Sequence, residues 1–578
     1  MGTNRRLDLR IYTAENKVGL PHAGTAADGS ITPLHCAVWH EDEAMARSIL
    51  AGKDTKIFLK AYTSGGSSEG LLEEQPVHYA ARKGSFQMLH LLSEAGADLM
   101  ARTQRGGTPY GPAVLHFAVA SGYPNAVQAV LDRLPGPKEV EKAMYAGDGQ
   151  PWEEVEAYLE AHPENPRETK EIFDSDPQMY GRTALQWAVT MYLTDERPSW
   201  LGKHLQRDPR NVDRREVIAR LLAVPGVSTD SGYGYPYALW VAVEKNDEEL
   251  VKSLLEGGAN PLIAFWAENG LQKDPVTISE QEALCPLSLA LRLGKKNMVR
   301  LLLEHSNFEL ALENHGSISP LYVAVSQGES EFVAAMVEKG ANPFAQESPD
   351  AWVGGGILGG RGESPQERQE RERHIKGAHT WSPLIMAAEK GCTKVAETLI
   401  AGMRRWVETA ETRLKEMEAL LESIDYQKEK RKYQKVGERC VLLRQYSDPA
   451  LRQAGSVYGI DYADREDGIT ALHAAVRNGH AGTVAVLLRA GASVDKQTMA
   501  LPLGGGGETP LHIALKPLQN ERPRGKKNLI HVVQLLLQAG ADVMQPDASG
   551  VTPRKMAERL PAGVREELER NNCRALFE

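Results

Sequence analysis

Long apolar runs are missing from this chain of 578 residues. No stretch approaches the roughly 18 consecutive apolar residues of a membrane span, so none is expected. Met1-Gly2-Thr3-Asn4-Arg5-Arg6 is basic, but no apolar segment follows it to make a secretory signal. Cysteine is scarce as well. Cys36, Cys285, Cys392, Cys440 and Cys573 are far apart, odd in number and outside any C-x-x-C pair. That pattern argues against both a disulfide framework and a zinc site. Nor is there an excess of positive charge: 67 Lys and Arg against 77 Asp and Glu leave a net charge of -10. No nucleic-acid partner is expected, because such binding is dominated by phosphate neutralisation. With 42% hydrophobic and 25% charged residues the composition is that of a globular protein. The expected location is cytoplasmic, with the nucleus as the alternative.

What the chain does have is a phrase that returns: Thr32-Pro33-Leu34-His35-x-Ala37, Gln75-Pro76-Val77-His78-x-Ala80, Thr470-Ala471-Leu472-His473-x-Ala475 and Thr509-Pro510-Leu511-His512-x-Ala514. Thr is a good helix N-cap, Pro fits the first helical position, and Leu with Ala lets a short helix pack closely on its neighbour. A second spacing is independent of the first. A break residue is followed twelve positions later by a closing glycine at Gly84 and Gly96, Asn246 and Gly258, Gly328 and Gly340, Gly479 and Gly491. Left-handed C-caps need Gly or Asn. Between those points lie helical apolar sets such as Leu250, Val251, Leu254 and Leu255.

On these residues the chain resembles ankyrin repeat proteins, and the resemblance covers most of it. It implies an all-α solenoid of about ten helix-pair repeats, anchored at Leu34, Val77, Leu115, Leu185, Leu239, Leu287, Leu321, Leu384, Leu472 and Leu511. The segments expected are an N-terminal stretch 1–28, repeats 1–3 over 29–131, an acidic insertion 132–180 and repeats 4–7 over 181–345 with an insertion at 192–215. A Gly-rich, charged loop 346–380 follows, then repeat 8 over 381–404, a helical arm 405–446, and repeats 9–10 with a capping segment over 447–578. Gln186, Trp240, Ser288, Tyr322 and Ile385 stand where the family has histidine, which is expected to loosen those interfaces. The remaining histidines, His35, His78, His116, His473 and His512, are expected to be structural, since metal ligands must converge on one point.

The arm runs on from the eighth repeat to about Tyr446 without a proline. Val407, Ala410, Leu414, Met417, Leu421 and Ile424 recur in threes and fours, and Tyr433, Val436, Cys440 and Leu443 resume the spacing. Such a stripe suits a coiled-coil seam, a hairpin folded on itself or docking on the solenoid's flank. Its apolar partner is its own second half, a second copy of the chain through residues 405–446, or another protein.

Catalytic patterns do not survive inspection. Gly66-Ser67-Ser68-Glu69-Gly70 matches G-x-S-x-G but lies in a Ser/Gly-rich connector, not on a strand-to-helix turn. His40-Glu41-Asp42-Glu43-Ala44 has alanine where a zincin needs its second histidine, and Gly504 to Gly507 lack the lysine of a P-loop. No catalysis and no cofactor are expected. An enzyme assembled from the three insertions is the rival reading. A nuclear regulatory cofactor is another, pointed to by the basic runs Lys428, Lys430, Arg431, Lys432, Lys435 and Arg522, Arg524, Lys526, Lys527.

The resemblance implies that protein partners lie on the concave face, where the two variable residues after the signature alanines point. The candidate contacts are Trp39, His40, Arg82, Lys83, Glu244, Lys245, Arg292, Arg477 and Asn478, and the aromatic pair Phe265 and Trp266 after Gly258-Ala259-Asn260. Aromatic residues and arginines are the usual anchors, which singles out Trp39, Arg82 and Arg292.

Overall fold

A computed structural model describes residues 31–63, 73–103, 112–134, 183–194, 213–224, 227, 229–230, 238–263, 284–306, 319–344, 382–424, 433, 436–437, 439–441, 443–444, 447, 459–464, 467–499, 506–520 and 525–577. The insertions 132–180 and 192–215 fall almost wholly outside these residues. So do the loop 346–380, the G-x-S-x-G connector and the basic run 428–435. The described secondary structure is helical, with isolated β-bridges at Arg102–Ala113 and Ala463–Thr470.

Two compact units divide the chain, Met1–Pro275 and Val276–Glu578. In the first, α1 (Pro33–Trp39) pairs with α2 (Glu43–Leu50), and a short α3 (Thr55–Lys60) precedes α4 (Pro76–Lys83) and α5 (Phe86–Glu94). Then follow α6 (Val114–Ser121) with α7 (Pro124–Leu131), α8 (Ala184–Leu193) with α9 (Arg214–Leu222), and α10 (Ala238–Lys245) with α11 (Glu248–Glu256). The second unit has α12 (Pro286–Arg292) with α13 (Lys296–Glu304), α14 (Pro320–Gln327) with α15 (Ser330–Glu338), and α16 (Pro383–Glu389) with the long α17 (Thr393–Ser423). It continues through α18 (Ala471–Arg477) with α19 (Ala481–Arg489), α20 (Pro510–Leu515) with α21 (Lys526–Gln538), and α22 (Pro553–Glu558) with α23 (Ala562–Arg570). Within each unit first helices pack on first helices and second helices on second helices, giving two layers. That is the solenoid the spacing implies.

The local chemistry follows the sequence closely. Thr32, Thr183, Ser382, Thr470 and Thr552 cap first helices through side-chain oxygens, and Pro occupies the first positions of α1, α4, α12, α14, α16, α20 and α22. All ten anchor residues are at most 2% exposed, which fixes the register of the stack. The break and closing residues Gly84, Gly96, Asn246, Gly258, Gly328, Gly340, Gly479 and Gly491 all have positive φ. In the first repeat the break is made by Glu41 at φ 55°, a residue that strains in the left-handed region. Carboxylates at the turn tips link successive turns: Asp461 accepts from the Ser493 N–H at 2.8 Å, and Asp495 accepts from the Asp542 N–H at 2.9 Å.

Two boundaries differ from expectation. Among the described residues the pair α22–α23 is an eleventh helix pair. Its first helix keeps Thr552, Pro553 and Ala557 but has Arg554 and Lys555 where the signature has Leu and His. The division at residue 404 falls inside α17, which runs unbroken from the eighth repeat into the arm. Gly402 allows this helix to lie against α15, since a Cβ there would come within 2.7 Å of Val337 Cγ1.

The arm is a hairpin. Described positions between 433 and 444 are helical and return along α17. Leu443 joins Trp406, Val407 and Ala410, while Val436 and Cys440 join Ile424. Leu414 and Met417 pack against both clusters. Arg444 pairs with Glu418 at 2.8 Å, and the buried Arg439 donates to the Gly340 carbonyl, tying the returning segment to the turn after α15. The seam foreseen in the sequence therefore has its partner in the same chain, and its base is docked on the seventh repeat.

Candidate functional site

Several first helices begin on a buried histidine network that fixes their N-terminal ends. In α1 the Thr32 N–H donates to His35 Nδ1 at 3.3 Å, and His35 Nε2, carrying the proton, donates to the Glu74 carbonyl of the next repeat at 3.1 Å. His78 does the same between the Gln75 N–H (3.0 Å) and the Ala101 carbonyl (3.0 Å), and His512 between Thr509 (3.1 Å) and Val551 (3.0 Å). A neutral imidazole is required, with one nitrogen accepting and the other donating. Burial pushes His78 down to about 3 and His473 down to about 4. Gln186 replaces half of this device, its Oε1 accepting from the Thr183 N–H at 2.7 Å, so loss of histidine there does not undo the cap.

Across α1, α4 and α6 aromatic and cationic side chains interleave. Tyr79 stands edge-on to His35 at 5.2 Å and to Trp39 at 5.8 Å, and His78 stands edge-on to Phe117 at 5.4 Å. Lys83 Nζ lies 5.0 Å from the centre of the Trp39 ring and the Arg82 guanidinium 4.8 Å from that of Phe117. Arg82 is 2% exposed and paired with Glu74, itself 1% exposed. Burial pushes the Glu74 carboxyl up against the pull of Arg82, and burial with the nearby Glu74 charge pushes the Tyr79 phenol well above its ordinary value.

This geometry corrects two of the anchors. Arg82 is a core cation clamped by Glu74, and Trp39, at 9% exposure, is covered by Tyr79 and Lys83. Neither offers a surface to a partner. Nothing in the repeat pattern marks Glu74, which precedes the signature and supplies the countercharge. His40 is exposed at the end of α1, and Lys83 is half-buried. Lys245 is exposed with its Nζ 3.4 Å from the half-buried Glu244. Arg292, Arg477 and Asn478 are exposed at the ends of α12 and α18, and Asn478 turns its amide back to the Ala474 carbonyl at 3.0 Å. Phe265 and Trp266 lie outside the described residues. Of the sequence candidates, the structure brings Trp39 and Lys83 into contact. Arg292 and Arg477 belong to first helices separated by two others, α14 and α16.

Elsewhere in the second unit a cleft of about 570 Å³ lies between α15 and α17, floored by Gly402 and Trp406. Its two arginines are already engaged: Arg405 pairs with Glu338 at 2.9 Å, and Arg413 stacks 3.8 Å from the centre of the Trp406 ring. Among the described residues no group of His, Cys, Asp and Glu could hold a metal ion, and no helix is long and apolar enough to cross a membrane. Gly506 and Gly507 serve a turn, where Ala548 N–H donates to the Gly506 carbonyl at 3.1 Å.

Residues 239–347 and 450–547 match the family model for ankyrin repeats in three copies. The human transient receptor potential cation channel subfamily A member 1 is 30% identical over 105 residues, 18% of this chain and 8% of that relative's length. Similar solved structures include the ankyrin repeat domain of Bcl-3, described as a unique member of the IkappaB protein family (18% identity, 57% of this chain, 97% of that chain, TM-score 0.30). Another is the human ASB11 ankyrin repeat domain (18% identity, 58% and 96% covered, TM-score 0.29). The matched segments contain the anchors Leu239, Leu287, Leu321, Leu472 and Leu511, and the anchors outside them head helix pairs of the same construction. The chain carries ankyrin repeats.

Proposed function

We propose that the chain is a non-catalytic scaffold that binds protein partners across the exposed ends of its first helices. One observation carries the reading. In α14, α16, α18 and α20 of the second unit nearly every side chain is buried up to the last one or two residues, and the helix ends or caps are polar and exposed: Gln327, Lys390, Arg477 and Lys516. A rigid scaffold loses little entropy on association, so such a row can be varied for recognition at little cost to the fold. Ankyrin repeats are generic protein-interaction modules, which supports the same reading.

The test is affinity capture with the full chain and two charge-reversal sets. One set alters first-helix ends (Lys245→Glu, Arg292→Glu, Arg477→Glu), and the other alters exposed positions of second helices (Lys252→Glu, Arg300→Glu). The first set is expected to lose captured partners with an unchanged melting temperature, and the second to keep them. Loss confined to the second set would reject this face.

A further inference from the structure

Three successive first helices of the second unit end in an exposed cation: Lys390 after α16, Arg477 at the end of α18 and Lys516 after α20. We propose that these form a track for an extended acidic segment of a partner protein, with a carboxylate at every third residue. The inference rests on the binding reading above and names the partner's chemistry. It is carried by spacing and by charge.

The helices α16, α18 and α20 pack directly on one another, so their ends repeat at a helix–helix distance of about 8–10 Å. An extended chain in the polyproline II conformation advances about 3.1 Å per residue with three residues per turn, so every third side chain lies on one face and three residues match one repeat. Toward α12 the row passes the neutral Gln327 and then Arg292, so the best partner skips one carboxylate before the last. Glu389 is half-buried beside Lys390, and Glu508 holds Lys516 at 2.8 Å while leaving that lysine 64% exposed. Lys390 and Arg477 have no ion-pair partner among the described residues. The helix dipole favours a cation at such ends but is screened at a surface, and it leaves both available for pairing across an interface.

The experiment is fluorescence anisotropy of the full chain with a labelled synthetic peptide carrying Glu at every third position. The controls are a peptide of equal composition with its Glu residues in one block, and a single-stranded oligonucleotide of equal charge. The spaced peptide is expected to bind best, with Lys390→Ala/Arg477→Ala weakening it by about 10-fold and flattening its salt dependence. Unchanged affinity in that double variant, equal binding of the blocked peptide, or tighter binding of the oligonucleotide would each overturn the track. Capture that still depends on Lys245 and Arg292 would then leave the scaffold reading standing. Capture insensitive to every first-helix end would remove both.

Discussion

Removing the Arg82 side chain tests the buried core of the first unit most directly. Arg82→Ala strips the countercharge from Glu74, a carboxylate 1% exposed, and deletes a cation stacked 4.8 Å from Phe117. Breaking one side of a buried ion pair costs about 3–5 kcal/mol, and a desolvated cation–π contact about 2 more at most. Part of the first cost is relieved when Glu74 takes up a proton, toward which burial already pushes it. A net loss of about 4 kcal/mol is therefore expected, against the negligible loss expected of an exposed groove residue. Glu74→Gln should be comparable, since the amide keeps a hydrogen bond but leaves a guanidinium charge uncompensated. The double variant Glu74→Leu/Arg82→Met removes both charges at similar volume and should lie within about 1 kcal/mol of the parent. Urea unfolding followed by circular dichroism, with hydrogen exchange read at α4, gives the coupling once the matching singles Glu74→Leu and Arg82→Met are measured beside the double variant. A loss below about 1 kcal/mol for Arg82→Ala, or a double variant as weak as the sum of the singles, would refute the assignment.

Acid should attack the histidine network. His78 and His473 are neutral in the fold and held below their ordinary value of 6.5, so their contribution is complete above that pH and is lost as pH falls toward about 3 and about 4. Between pH 6.5 and 4.5 each should cost on the order of 2–3 kcal/mol, and a His473→Gln variant, which copies the residue found at Gln186, should lose that slope in urea titrations. Glu41→Gly and Asn246→Gly should each raise stability by about 0.5–1 kcal/mol by relieving positive φ, read as denaturation midpoints that move upward. Gly402→Ala should destabilise by about 1–3 kcal/mol through the contact with Val337, and Val337→Ala should recover part of that loss in the same assay.

The punctuation of the repeats was legible because backbone geometry dictates residue type. A left-handed break admits Gly or Asn, and an N-cap followed by a first-turn position favours Thr then Pro, so helix pairs could be placed from spacing alone. Glu41 was not legible as a break, because nothing in its own chemistry favours that conformation; it appears only in the turn itself, where the Asp42 N–H donates to the Ala37 carbonyl at 2.9 Å. The fate of Arg82 was hidden for a related reason. Position in the repeat says where a side chain starts, whereas burial depends on Glu74 and Phe117, which the period does not specify. The arm's apolar stripe was visible, but three partners could satisfy it equally, and only the packing of Leu443 and Val436 decides among them. The pair α22–α23 escaped because Arg554 and Lys555 replace the two residues that make the signature conspicuous.

The continuity of α17 has a mechanical consequence. A helix of 31 residues is about 46 Å long, and it has no hinge where the eighth repeat ends and the arm begins. The arm is thus a lever whose short end is itself a structural part of the stack, wedged against Val337 through Gly402, while its returning segment is bolted to Gly340 through Arg439. Torque applied at Ser423 is delivered to the joint between the seventh and eighth repeats without passing through any loop. Whatever grips the tip therefore also loads that joint.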